Sequence, residues 1–104
     1  MPRYHSNPSL KRLYTTYNRL WFGGKLQRNT ILVYANIPDA SADITQTEPP
    51  VIRIHRNFRT WGRLKRFSLL HEMAHLATDV SGHGPRWQRE MRRLVRVGAF
   101  DRLW

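Results

Sequence analysis

The spacing of apolar residues predicts three amphipathic helices and at least two strands. Apolar side chains recur at intervals of three and four in three stretches, which indicates helices at residues 9–22, 63–80 and 85–97. Two apolar, β-branched runs at residues 30–35 and 51–55 predict strands, and a short strand is expected near Ile44 and Thr45. We therefore expect an α+β domain, with an antiparallel or mixed sheet of two to three strands packed against three helices.

Each predicted helix has one apolar face, and we expect these faces to form the core. In the first helix the stripe consists of Leu10, Leu13, Tyr14, Tyr17, Leu20 and Trp21. In the second it consists of Leu69, Met73, Leu76 and Val80, and in the third of Trp87, Met91, Leu94 and Val95. The tail at residues 99–104 contains Phe100, Leu103 and Trp104, which are expected to fold back onto this core.

The chain is predicted to be one domain, residues 1–104, in which residues 1–8 form a flexible arm. Ser9 is a suitable N-cap for the first helix, and Gly23 and Gly24 end it. No apolar run is long enough to span a membrane, and the first residues do not resemble a signal peptide. There is no cysteine, so disulfides and thiolate metal sites are excluded. These features favour a cytoplasmic protein, and we expect a monomer.

The second helix contains His71, Glu72 and His75 in the order H-E-x-x-H. Residues four apart lie one turn above each other on the same helix face, so the two imidazoles can converge on one point. Two neutral imidazoles form half of a tetrahedral zinc site, and the adjacent carboxylate is placed to take a proton from a zinc-bound water. Both histidines lie off the apolar stripe, as ligands that face a cleft require.

A catalytic zinc site needs a third protein ligand, and His83 is the best candidate. It follows the predicted turn at Ser81 and Gly82, and it precedes Pro85, which suits the first turn of the next helix. Asp79 is the competing ligand, but it lies two turns along the helix from His71, about 12 Å in rise. The sequence therefore predicts one Zn²⁺ per chain, bound by His71, His75 and His83, with Glu72 as general base.

These motifs resemble those of the SprT-like zinc metallopeptidases, the zincin-type family that includes the Spartan proteases. The likeness is specific in H-E-M-A-H at residues 71–75 and H-G-P-R-W at residues 83–87. It is looser at residues 17–26, which resemble the opening helix and F-x-G-x-L run of the family, and at the strand around residues 52–54. The resemblance implies a minimal zincin-like fold, zinc-dependent endopeptidase activity and a protein or peptide substrate.

In zincin-type peptidases an edge strand before the metal helix pairs with the extended substrate. The resemblance implies that role for Arg53, Ile54 and His55, although an ordinary exposed strand position is the favoured interpretation of His55. Family members often contain a cysteine-based zinc ribbon or long recruitment tails, and this chain contains neither. The spacer between His75 and His83 is also short. These departures leave peptidase chemistry intact and weaken the case for DNA repair.

The chain is strongly basic, with 18 Lys and Arg against seven Asp and Glu, a formal charge of +11. Such a balance favours binding to nucleic acid phosphates and gives no sequence specificity. Seven arginines are the candidate contacts: Arg59, Arg63 and Arg66 before the metal site, and Arg86, Arg89, Arg93 and Arg96 on the last helix. DNA, or proteins associated with DNA, is thus the second expected partner.

Two other classes of protein are compatible with these residues. One is a non-catalytic basic module that binds nucleic acid and uses zinc only for stability. The other is a basic structural or interaction protein in which the three histidines bind no metal. Glu72 favours an enzyme over both, since a structural zinc site needs no base beside its ligands and is usually closed by a fourth ligand.

Overall fold

The computed structural model describes residues 5–79 and 82–103 and confirms the predicted α+β class. Its helices and strands are α1 (Pro8–Trp21), β1 (Ile31–Ala35), β2 (Ala42–Thr45), β3 (Val51–His55), α2 (Gly62–Thr78) and α3 (Pro85–Arg96), with a 3-10 turn at Arg56–Arg59 between β3 and α2. None of the described helices has the length and apolar character that a membrane span requires.

The three strands form a mixed sheet in the order β1-β3-β2. β1 runs parallel to β3 with Leu32 opposite Ile52, and β2 runs antiparallel to β3 with Ile44 opposite the same residue. Side chains alternate between the two faces of a sheet. Leu32, Ile52 and Ile54 are therefore fully buried on the inner face, whereas Arg53 pairs with Asp43 on the outer face.

The central position of β3 shows that the prediction of an edge strand at Arg53, Ile54 and His55 is wrong. β3 has β1 on one side and β2 on the other, so its backbone groups are occupied on both sides. The prediction followed chain order, since β3 is the strand before α2. The partners of a strand, however, are set by contacts between residues far apart in sequence. Here the short strand β2 pairs with the edge of β3 that was expected to be free.

The core is centred on α2, as its apolar stripe predicts. Leu69, Met73 and their neighbours Leu70 and Ala74 are fully buried. Leu94 of α3 and Ala99, Phe100 and Leu103 of the tail close this core, so the predicted return of the tail is confirmed for these residues. Val80 and Trp104 lie outside the described residues.

Two residues of the predicted stripes are exposed instead of buried. Leu20 of α1 is 54% exposed and Val95 of α3 is 50% exposed. An apolar stripe marks a broad face of a helix, and only the packing of neighbouring elements decides which margins of that face are covered. Both residues lie at such margins, so they were assigned to the core wrongly.

The first helix begins earlier than predicted, because Asn7 and not Ser9 is its N-cap. The Asn7 side chain accepts a hydrogen bond from the Leu10 N–H at 3.1 Å, and Pro8 fits the first turn because its missing N–H would have no partner there. The Asn7 N–H donates to the Leu32 carbonyl at 2.8 Å, and the Leu32 N–H donates to Ser6 Oγ at 3.0 Å. Residues 6–8 are thus bonded to the fold and cover part of the outer edge of β1.

The loop after α1 is held by Asn18, which is buried although polar. Its side-chain amide donates to the Leu26 carbonyl at 3.1 Å and accepts from the Leu26 N–H at 3.0 Å. Gly23 and Gly24 both have positive φ, 61° and 73°, which lets the chain reverse between these two partners. The clamp keeps Leu26 in the core at the end of the turn.

Replacing Asn18 should destabilise the fold more than replacing an exposed asparagine. Asn18→Ala leaves the buried N–H and carbonyl of Leu26 without these partners, so we expect a loss of about 2–3 kcal/mol in the free energy of unfolding. Asn29→Ala is the matched control, because Asn29 is exposed and bonds only to the Glu48 side chain. Urea denaturation followed by circular dichroism measures both. Equal stability of the two variants would contradict the clamp.

Candidate metal centre

Helix α2 presents His71 and His75 from one face, one turn apart. His75 is only 3% exposed, and His71 is partly buried. Their ring centroids are 5.0 Å apart, as expected for side chains four residues apart on a helix. Burial of the opposite face of α2 against the sheet therefore fixes the direction in which both imidazoles point.

The turn after α2 brings His83 back to this pair. Asp79 ends the helix in a left-handed conformation with φ of 55°, and its N–H bonds back to the carbonyls of His75 and Leu76. His83 then lies just before α3, whose N-cap is Gly84. The His83 ring is 5.2 Å from the His71 ring and 5.0 Å from the His75 ring.

The three histidines form a group that could hold a metal ion. Their ligand atoms all lie within 4.8 Å of one another, and no fourth ligand joins the group in the described part of the chain. Tetrahedral zinc with Zn–N bonds of about 2.0–2.1 Å separates neighbouring nitrogens by about 3.4 Å, so small ring rotations bring the set into range. Asp79, His5 and His55 are not members, as the sequence predicted for Asp79.

Glu72 lies at the edge of this group and contacts one of its members. It is 5% exposed, and its Oε2 is 2.9 Å from Nδ1 of His71. With the proton on Nδ1, His71 donates to the carboxylate and keeps Nε2 as the atom for a metal. A carboxylate in this position fixes the tautomer and the orientation of a ligand ring.

Two residues near the group were not predicted to be there. Trp87, assigned from the sequence to the core, has its ring within 4.9 Å of His71, 5.3 Å of His75 and 4.4 Å of His83. Gln46, which follows β2, donates from its side chain to the His75 carbonyl at 3.3 Å. The spacing of four residues between His83 and Trp87 could have indicated that the two side chains lie close together, but no local pattern indicates that Gln46 lies near the group.

The predicted substrate residues of β3 have other partners. Arg53 is paired with Asp43 on the outer face of the sheet. Ile54 is fully buried beneath α2. His55 accepts a hydrogen bond from the Asn57 N–H at 3.1 Å through Nδ1, which caps the 3-10 turn.

The candidate arginines divide into exposed residues and one structural residue. Arg93 donates to the Trp21 carbonyl at 2.8 Å, pairs with Glu90 and lies over the Phe22 ring, so it joins α3 to the end of α1. The other six have exposed side chains: Arg59, Arg63, Arg66, Arg86, Arg89 and Arg96. On α3, Arg89 and Arg96 lie on the face opposite to Trp87 and Leu94, so they point away from the histidines, whereas Arg86 lies at the side of the helix.

Arg59 and Arg66 also act on nearby tyrosines. Arg59 lies over the Tyr34 ring at 5.7 Å. Burial raises the pKa of Tyr34 above its ordinary value, and the positive charge of Arg59 acts in the opposite direction. The pKa of Tyr17 is raised in the same way, with Arg66 as the opposing charge. These tyrosines are therefore neutral at physiological pH.

One groove of the structure does not include the histidines. A groove of about 810 Å³ is formed by the end of α1, the segment after β2 and the ends of α2 and α3, and none of the three histidines lines it. The groove includes Trp21, Leu76 and Asp79. We place the functional site at the histidines because their donor set has a defined chemistry, whereas a groove of mixed polarity has none.

Comparisons with known proteins support a metallopeptidase-like fold. No protein-family model matches the chain, and a search of curated proteins also finds no match. Among solved structures, the chain is similar to the metallopeptidase zymogen of Pyrococcus abyssi abylysin, with a TM-score of 0.67 and 16% identity over 90% of this chain and 87% of that chain. Identity this low shows the fold alone, and membership of the SprT-like family remains a prediction.

Removal of His83 should abolish tight metal binding without unfolding the protein. His83→Ala leaves two imidazoles, and a pair of ligands holds a divalent ion far more weakly than three. His5→Ala is the control, since His5 is exposed and outside the group. Metal stoichiometry after dialysis, measured on protein purified without a histidine tag, tests this. Stoichiometric metal in the His83→Ala protein would show that His83 is not a ligand.

Proposed function

We propose that this chain is a zinc-dependent metalloendopeptidase of the SprT-like type. The observation that supports this most directly is the convergence of three imidazoles beside the buried carboxylate of Glu72, with no fourth protein ligand in the described residues. Catalytic zinc sites have three protein ligands and one open position, whereas structural sites are closed. The metallopeptidase-like fold adds support from an independent direction.

The donor set suits one zinc ion per chain, held by the neutral nitrogens of His71, His75 and His83. Imidazole is a common ligand of zinc, and the chain has no cysteine that would favour a thiolate site. When bound, zinc supplies a water of lowered pKa, about 7, and polarises the carbonyl of the scissile bond.

Glu72 is the proposed general base. It accepts a proton from the attacking water as the new C–O bond forms, and it passes that proton to the leaving amine as the C–N bond breaks. Its burial keeps the carboxylate in one place, and its contact with His71 holds it at the edge of the ligand group. No described residue is assigned to stabilise the oxyanion.

Strand β2 is the proposed binding edge for an extended substrate, in place of β3. β2 is an edge strand, and the residue after it, Gln46, contacts the backbone of His75. The His55 N–H donates to the Ser41 carbonyl at 2.8 Å. Alternation along an antiparallel pair then directs the backbone groups of Ala42 and Ile44 outwards, where a peptide can pair with them.

Glu72→Gln should retain zinc and lose turnover. The glutamine oxygen can still accept the hydrogen bond from His71, so the ligand group stays ordered, but the amide cannot take up a proton. We expect peptidase activity to fall by about 10²–10⁴-fold with unchanged zinc content. Cleavage of casein is the assay, and Glu48→Gln, at an exposed carboxylate, is the control. Proteolysis that survives in purified Glu72→Gln protein would refute this mechanism.

A second proposed activity is binding of single-stranded nucleic acid near the 3-10 turn. Trp61 is 54% exposed and its ring lies 5.6 Å from that of Phe58. Arg56, Arg59 and Arg63 are exposed and lie within five residues of Trp61 in the sequence, and residues 56–66 contain no acidic residue. An exposed aromatic ring among arginines suits a strand whose bases stack while its phosphates pair with guanidinium groups.

This surface can be tested by single substitutions that separate stacking from charge. Trp61→Ala should weaken binding of an oligothymidylate by about 1–3 kcal/mol, the cost of one lost stacking contact. Arg56→Ala should weaken binding of all sequences alike and lower the salt-dependence slope by about 1. Fluorescence anisotropy across a salt series measures both effects, with Arg19→Ala on α1 as the control. Unchanged affinity in both variants would exclude this surface. Salt-dependent binding without cleavage of any protein would instead favour the non-catalytic zinc-stabilised module.

A further inference from the structure

We infer that Trp87 is the positioning residue of the metal centre, and that it holds the ring of the third ligand, His83. The inference rests on the proposed metal centre and does not depend on peptidase activity. Trp87 lies in the first turn of α3, so it follows His83 by about one helical turn. The indole thereby joins the helix that supplies two ligands to the segment that supplies the third.

The indole is packed against all three imidazoles. Its ring centroid is 4.4 Å from that of His83 and 4.9 Å from that of His71. The ring of His75 lies nearly parallel to it, with 21° between the planes and 5.3 Å between the centroids. Aromatic pairs at these separations attract each other beyond the effect of the apolar area that they bury. One side chain therefore restricts three ligand rings at once.

His83 has a particular need for such a contact. A ligating histidine usually donates its second ring N–H to a carboxylate, a carbonyl or water, and this bond fixes the orientation of the ring. His71 has Glu72 for this purpose. Within residues 5–79 and 82–103, no protein group makes a hydrogen bond with the His83 ring, which is exposed and whose contacts are with aromatic rings. Packing on Trp87 takes the place of that hydrogen bond.

The backbone of His83 is held by Gln88, the residue after Trp87 on α3. The Gln88 side chain donates to the His83 carbonyl at 2.7 Å. Trp87 is itself half-buried and packs against the core, and its indole N–H points to the His71 carbonyl at 3.5 Å. Gln88 thus holds the backbone of His83, and Trp87 holds the orientation of the His83 imidazole.

The test compares four proteins: the unmodified chain, Trp87→Phe, Trp87→Leu and Trp87→Ala. Zinc affinity is measured by competition with a chromophoric chelator, and ligand geometry by the visible absorption of the Co²⁺-substituted protein. We expect Trp87→Ala and Trp87→Leu to lose about 10–100-fold in zinc affinity, the effect typical of a lost partner behind a ligand. Trp87→Phe, which keeps a flat ring, should recover most of that affinity and the original Co²⁺ spectrum. Leu20→Ala removes an exposed apolar side chain of α1 and should change neither quantity.

The outcomes separate this inference from the proposed function. Trp87→Leu protein that binds zinc as tightly as the unmodified chain, with the same Co²⁺ spectrum, would refute the positioning role. If Trp87→Ala does not fold by circular dichroism, the Phe and Leu pair decides, because both keep apolar volume and only one keeps a flat ring. An unmodified chain that binds zinc but cleaves no protein would refute the peptidase proposal alone. An unmodified chain that binds no zinc would refute both.

Discussion

The structure depends on the reversal of the chain after α2, which brings a third imidazole to the two that the helix presents. His71 and His75 are held by the burial of the opposite face of α2 against the sheet. His83 reaches them only because Asp79 adopts a left-handed conformation and α3 starts directly after the turn. A helix that continued past Asp79 would carry the chain away from the cluster, and a two-ligand site binds zinc weakly.

Because the domain is small, the elements that pack its core also position its candidate metal ligands. A chain of 104 residues buries little core, so each element that contributes to the core also positions the site. Leu94 of α3 packs into the core, and Trp87 on the same helix packs against the histidine rings. Movement of α3 relative to α2 would therefore disturb the core and the metal ligands together. A bound ion, in turn, would stabilise the fold, because binding to the folded state alone raises its stability.

The basic charge of the chain is distributed unevenly with respect to the site. Arg89 and Arg96 of α3 lie on the face away from the histidines, and Arg93 joins α3 to α1. The group around Trp61 combines charge with an exposed aromatic ring, so its surface chemistry differs from that of the α3 row. Net charge alone therefore does not locate a polyanion-binding surface, because some guanidinium groups, such as that of Arg93, are bonded within the fold and others are exposed.

Local pattern predicted the helices and strands of this protein, because spacing along one helix or strand decides which side chains share a face. It also predicted all three histidines of the group: helical spacing indicated His71 and His75, and the turn signals at Gly82 and Pro85 indicated His83. On that basis the sequence predicted the ends of β3 and the extent of α2. It also predicted that His71 lies beside His75 and that Phe100 folds back onto the core. The order of the strands was not predictable, because a sheet edge is defined by partners that are distant in sequence, and β2 took the place expected to be free. The same holds for Arg93 as a structural residue and for Trp87 as the neighbour of three ligands. Each depends on contacts between separate elements, and only tertiary packing brings those elements together.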